Sequence, residues 1–134
     1  MSRFPMRPTA PPANRRHTQL GPAEVRLLDD WGVALISAFP NAVGVFLVGS
    51  SMIRKDWRDI DVRIMLHDQE FNAITAVMRP RRLNLMLTLW GRQVTGLPID
   101  CQVQAMTWAN AQYPWPKHPR NALGFRDDEG TEGA

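Results

Sequence analysis

Two short stretches of this chain alternate so cleanly between polar and branched apolar side chains that they leave little choice of structure. From Asp59 to Leu66, one side collects Asp59, Asp61, Arg63 and Met65, and the other collects Ile60, Val62, Ile64 and Leu66. From Pro98 to Gln104, Asp100, Gln102 and Gln104 oppose Ile99, Cys101 and Val103. Successive side chains of a strand point to opposite faces, so each stretch predicts a half-buried strand. If the two are neighbours in one sheet, Asp59, Asp61 and Asp100 converge on its uncovered face while helices pack against the apolar face.

The remaining elements follow from punctuation and periodicity. Gly21-Pro22 opens a helix, since proline suits the first helical position, and Pro40-Asn41 ends it. Its stripe is Val25, Leu28, Leu35, Ile36 and Phe39, widened by Leu27 and Trp31. Val43 to Val48 is a continuous apolar run that reads as a buried central strand, stopped by Gly49-Ser50-Ser51. Residues 68–79 form a second helix closed by Pro80, and Leu83, Met86, Leu87, Trp90 and Val94 mark a third that ends at Gly96. A short helix fits Thr107–Gln112. Trp31, Trp90 and Trp108 read as core, Trp57 as loop packing and Cys101 as a small core thiol. Strands interleaved with helices give an α+β fold with helices on one face of a small sheet.

Composition narrows the class. The chain is 44% hydrophobic, which suits one globular domain, and no apolar run approaches the ~18 residues of a membrane span. Residues 1–20 hold Pro5, Pro8, Pro11 and Pro12 with little apolar content and read as a disordered basic arm. Its four arginines, Arg3, Arg7, Arg15 and Arg16, supply most of the net charge of +3. The arm is either a solvated tail or an attractor of phosphate. The domain is expected over residues 21–112. Residues 113–134 are expected to be a tail, proline-rich from Tyr113 to Pro119 and acidic at Asp127, Asp128, Glu129 and Glu132. There is no apolar stretch of a secretory signal behind the first residues, and a single cysteine offers no internal disulfide, so a reducing cytoplasm is expected. His17, His67 and His118 show no ligand spacing.

Three clustered carboxylates raise one another's pKa unless cations neutralise them. Hard divalent cations with oxygen ligands, Mg²⁺ above all, are the usual answer, with substrate phosphates completing the shell. Upstream, an apolar strand runs into Gly49-Ser50, where a glycine lets a phosphate approach the backbone and the following N–H groups.

The segment LVGSSMIRKDWRDIDVRIML resembles the signature of the DNA polymerase beta-type nucleotidyltransferase superfamily. The matching features are an apolar strand, Gly49-Ser50, a loop, Asp59-Ile60-Asp61 in a second strand, and a third carboxylate, Asp100, within LPIDCQV. The 38 residues between Asp61 and Asp100 leave room for a helical crossover. The resemblance covers about residues 24–104, and the small size is most similar to minimal bacterial and phage nucleotidyltransferases without an added acceptor-recognition domain. The departure is a glycine-free loop of eight residues, Ser51 to Arg58, slightly shorter than is usual in the family.

The resemblance implies a small mixed sheet with the active site on the face away from the helices. It implies that Asp59, Asp61 and Asp100 hold two Mg²⁺ (or Mn²⁺) ions, with Asp61 as the bridge and Asp100 helping to deprotonate an acceptor hydroxyl. Gly49, Ser50 and Ser51 would hold phosphates of ATP or another NTP, with Lys55, Arg58 and Arg63 (and Arg54 nearby) offsetting charge. The implied activity is transfer of a nucleoside monophosphate to RNA, a protein hydroxyl or a small molecule, with release of pyrophosphate. The alternatives are a catalytically degenerate nucleotide- or RNA-binding module and a toxin–antitoxin component acting through a partner protein. A homo-oligomer fits any of these, and no membrane partner is expected.

Overall fold

A computed structural model describes residues 18–124; most of the expected arm and the acidic residues 126–134 lie outside them. Helix α1 (Pro22–Ala38) begins with proline in its first turn and buries Leu28, Trp31, Gly32 and Leu35. Strand β1 (Gly44–Val48) leads through Gly49 into a four-residue helix, α2 (Ser50–Ile53). Strand β2 (Ile60–Leu66) is followed by α3 (Asp68–Val77) and α4 (Pro80–Thr95). Helix α4 stops at Gly96, whose φ of 72° is the left-handed conformation that favours glycine. Strand β3 (Ile99–Ala105), helix α5 (Met106–Gln112) and a two-residue strand, β4 (Asn121–Ala122), complete the described chain.

The sheet order is β3-β2-β1-β4. Strands β1 and β2 are antiparallel, β2 and β3 parallel, and β1 and β4 antiparallel, so the sheet is mixed and the fold is α+β. A parallel pair needs a long crossover, and α3 and α4 provide it. Val45, Leu47, Ile60, Val62, Ile64, Ile99, Cys101 and Val103 form one apolar face, which packs with Leu28, Trp31 and Leu35 of α1 and Leu87 of α4. The alternation of β2 and β3 therefore resolves as expected, and Cys101 is a core thiol whose pKa burial pushes up to about 12.

Three expectations are corrected. Strand β1 is not buried throughout: Val45 and Leu47 face the core beneath α1 and α4, while Phe46 and Val48 are half-buried on the opposite face, which lines a cavity. Strand β2 begins at Ile60, leaving Asp59 exposed just outside it. Val48 is the last β1 residue to pair, opposite Asp61, and Gly49 then turns the neighbouring chain away, so no β1 backbone lies beside Asp59.

The third correction concerns α4. Its buried positions are Leu87, Thr88, Gly91 and Thr95, whereas Leu85, Met86, Leu89 and Val94 are each more than half exposed. Trp90 lies at the margin, its ring edge-on to Trp31 at 6.0 Å, and Trp108 of α5 is half exposed. The cause is the edge of β3. Asn84 Oδ1 accepts from Val103 N–H (2.9 Å), and Thr88 Oγ1 accepts from Cys101 N–H (2.9 Å) and donates to Cys101 C=O (3.2 Å). Arg92 Nε donates to Ile99 C=O (2.9 Å). Every fourth helical residue rises about 6 Å and every second strand residue about 6.6 Å, so the two series stay in register along the edge. The helix therefore turns a polar row to the sheet edge and part of its apolar surface to solvent.

Beyond the expected domain end at residue 112 the chain returns to the sheet. Leu123 N–H donates to Val45 C=O (2.8 Å) and the Leu123 side chain is buried in the core, while Gly124 N–H donates to Asp29 Oδ1 (3.1 Å). Trp57 and Phe71 pack at the margin of the core. Among the described residues no helix is long and apolar enough to cross a membrane.

Thr88→Val keeps the shape of the side chain but leaves the N–H and C=O of Cys101 without their partner. Stranding buried backbone groups costs about 1–3 kcal/mol, and urea unfolding of Thr88→Val should show a loss of that size, whereas Gln93→Ala, at an exposed position of the same helix, should show almost none.

Candidate active site

The face of the sheet away from α1 and α4 is built from three cross-strand rungs. Val48, Asp61 and Asp100 are mutual register partners in the first, Phe46, Arg63 and Gln102 in the second, and Gly44, Met65 and Gln104 in the third. A cavity of about 350 Å³ is lined by most of these residues, by Gly49 and Ile53 and by Trp108, Ala109 and residues 117–120.

The acid rung is held by backbone pairing: Asp61 and Asp100 face each other across a parallel ladder, so their separation is fixed by the sheet rather than by side-chain choice. Burial pushes the Asp61 carboxyl above the usual carboxylate range. The Arg63 guanidinium opposes the shift, while the charges of Asp100 and Asp59 and a hydrogen bond to Asp100 add to it. Arg63 reaches both acids, with Nη2 3.8 Å from Asp61 Oδ1 and 3.8 Å from Asp100 Oδ2. Its Nη1 donates to the carbonyls of Val62 (3.0 Å) and Asp100 (2.9 Å), which fixes the guanidinium above β3.

Gly49 closes the same end. Its φ is 82°, and a Cβ there would collide with the carboxyl of Asp61. No other residue type can occupy this position without displacing the acid.

The expected site residues divide accordingly. Gly49, Asp61 and Arg63 line the cavity, Asp100 adjoins them, and Asp59 stands at the edge within electrostatic reach of Asp61. Ser50 opens α2 directly after Gly49. Ser51 is fully buried, and its carbonyl accepts from Gln19 N–H (2.9 Å) and Thr18 Oγ1 (3.0 Å), so it belongs to the packing beneath the loop. Lys55 and Arg58 are exposed and do not line the cavity; Arg54 is paired with Asp56 (2.9 Å), also in solvent. The basic side chains of the loop therefore stand in solvent, while Ser51, Met52 and Trp57 anchor it to the core.

The cavity's other basic side chains come from the stretch expected to be a tail. Lys117, His118 and Arg120 all line it. Arg120 is pinned by three contacts: Nη2 donates to Asn110 Oδ1 (3.0 Å), Nη1 to Met65 Sδ (3.5 Å), and the guanidinium lies 5.3 Å from the centroid of Phe46. Tyr113 links Trp108 and His118 through edge-on ring contacts at 5.9 and 5.4 Å. Helix α5 is itself seated by Asp68, whose Oδ1 accepts from Thr107 N–H (3.0 Å) and whose pKa is held low by the Thr107 hydroxyl and then by that N–H. The signals in the sequence were the amides Gln102 and Gln104, in phase with Asp100, and the basic residues Lys117, His118 and Arg120 at the end of the proline-rich run.

Among the described residues no three His, Cys, Asp or Glu side chains are gathered closely enough to hold an ion as they stand. Comparison with models of known families, with curated proteins and with solved structures returns no match.

The raised pKa of Asp61 carries a stability cost of known sign. The folded state binds a proton more tightly than the unfolded chain, so stability falls as pH rises from the ordinary carboxylate pKa of about 3.9 through the higher folded value. Asp61→Asn removes this loss. The variant should be more stable than the parent at pH 7, by a margin that shrinks to nothing as pH is lowered below about 4, measured as the difference in melting temperature across pH.

Proposed function

We propose that this protein is a metal-dependent nucleotidyltransferase acting in the cytoplasm, which transfers a nucleoside monophosphate from an NTP to an acceptor hydroxyl. The observation that carries the reading is the packing of Gly49 against Asp61, with Asp100 in register beside it. A glycine without room for a Cβ exposes backbone N–H groups next to a carboxylate pair, and this combination suits a polyphosphate approaching through a cation.

Support for Mg²⁺ (or Mn²⁺) comes from the donor chemistry. Asp61 is a half-buried acid whose ionised form is disfavoured by burial and by two neighbouring carboxylates, and an added cation would relieve that repulsion. Mg²⁺ is commonly held by one or two carboxylates with phosphate and water completing its shell. Asp61 and Asp100 would hold it, with Asp59 as a further ligand from the edge. When bound, the ion would supply positive charge against the triphosphate and acidify the acceptor hydroxyl.

The chain's own residues would then divide the work. Gly49 and Ser50 would receive the β- and γ-phosphates on their backbone N–H groups. Arg63 would turn from the two acids to an oxygen of the triphosphate, where a charge-assisted contact replaces the one it gives up. Asp100, the more exposed acid, would accept the proton of the attacking hydroxyl. The new acceptor O–P bond forms as the bond from the α-phosphorus to its bridging oxygen breaks, and pyrophosphate leaves.

A second reading rests on Arg63 standing between Asp61 and Asp100, a position that also suits a nucleotide-binding module without turnover. Incubation with each α-labelled NTP, Mg²⁺ or Mn²⁺ and host extract distinguishes them. The enzyme should label an acceptor and release pyrophosphate, and Asp61→Ala should bring both to background. Saturable NTP binding that survives Asp61→Ala, with no pyrophosphate from the parent, would decide for the binding module.

A further inference from the structure

The cavity is longer than a phosphate site requires. Asp61 and Met65 mark its two ends on β2, and four residues of strand span about 13 Å. The acid end and the far end differ in chemistry. At the far end, Gln102 and Gln104 point over the sheet with carboxamides that make no hydrogen bond within the described chain, although both residues are partly buried. Their amide atoms stay open to the cavity, so a ligand can take up both donor and acceptor without breaking a bond within the protein. Beside them stand Trp108 and Tyr113, edge-on to each other and each nearly half exposed. Uncommitted amides next to available aromatic faces suit a flat ring whose rim carries both donors and acceptors.

We propose that this far end is a nucleobase subsite: Trp108 or Tyr113 offers a face for stacking, and Gln102 and Gln104 contact the base edge. This deepens the nucleotidyltransferase reading and rests on it for the placement of the phosphates at Gly49. Arg63, in the middle rung beside Asp61, then lies under the sugar. Gln side chains pair with base edges through an N–H and a C=O together, so the amides select among bases and not only for an aromatic ring. Lys117 lines the same cavity and adds positive charge.

The test is equilibrium binding of the full chain with Mg²⁺ to each of the four NTPs, the four nucleosides and inorganic tripolyphosphate. The subsite predicts that at least one NTP binds about tenfold or more tightly than tripolyphosphate, as expected for one stacked base. Trp108→Ala should remove most of that advantage and leave tripolyphosphate unchanged, and Gln104→Glu, which keeps an acceptor and loses the donor, should reorder the four NTPs. Both positions are partly exposed, and unchanged tripolyphosphate binding reports that the variants are folded. If NTPs and tripolyphosphate bind equally and neither variant changes this, the subsite is overturned while phosphate binding at Gly49 stands. If nucleosides bind and are lost in Trp108→Ala but tripolyphosphate never binds, the subsite stands and the nucleotidyltransferase reading is the part that fails. Absence of binding by every probe would overturn both.

Discussion

The structure depends on how the free edge of β3 is satisfied. An edge strand presents unpaired N–H and C=O groups that either attract another strand or must be covered. Here Asn84, Thr88 and Arg92, one on each successive turn of α4, cover alternate residues of β3 with side-chain hydrogen bonds. That row fixes the helix against the sheet and holds the strand that carries Asp100. Because the bonded residues are Ile99, Cys101 and Val103, the intervening Asp100 and Gln102 are presented to the opposite face with their backbone already constrained. The same packing brings Gly91 under Trp31, where a Cβ would meet the indole ring, so α1 and α4 approach closely. The fold and the acid rung therefore share one support.

On the open face, the electrostatics are a compromise. Two carboxylates brought together by strand pairing would repel, and Arg63 lies 3.8 Å from each of them. The arginine does not fully relieve the buried acid, since burial still dominates and the Asp61 carboxyl stays above its ordinary range. A residue kept where its ionised form is disfavoured is poor design for stability alone, and perturbed acids of this kind gather at functional sites. Gly49 points the same way, because its conformation and its contact with Asp61 both forbid a side chain.

Much of this was legible in the residues themselves. The alternation of β2 and β3 determined which side chains face the core, and it placed Asp61, Arg63, Asp100, Gln102 and Gln104 on one face. Proline and glycine marked the ends of α1 and α4. Periodicity failed where a helix satisfied something other than a core: α4 uses Asn84, Thr88 and Arg92 against a strand edge, so its inward face is part polar and its strongest apolar positions face outward. Sequence proximity also misled. Lys55 and Arg58 lie near the acids along the chain and away from the cavity in space, whereas Lys117, His118 and Arg120 reach it from a stretch more than fifty residues from Asp61. Nothing local in a proline-rich run tells that it will cross a sheet; Arg120 on Phe46 and the burial of Leu123 are long-range events.

The stretch between α5 and β4 contributes one wall of the cavity, yet it belongs to no strand or helix over residues 113–120. It is held at one end by α5 and at the other by Arg120 and the β4 pairing. The acid rung, by contrast, is built into strand register and closed by a glycine whose positive φ and contact with Asp61 disfavour any side chain. The two walls of the cavity thus differ in tolerance to change: replacing residues of the 113–120 stretch reshapes the pocket without disturbing the ladder beneath it. A family built on this plan could diversify what it binds while its reactive end stayed the same.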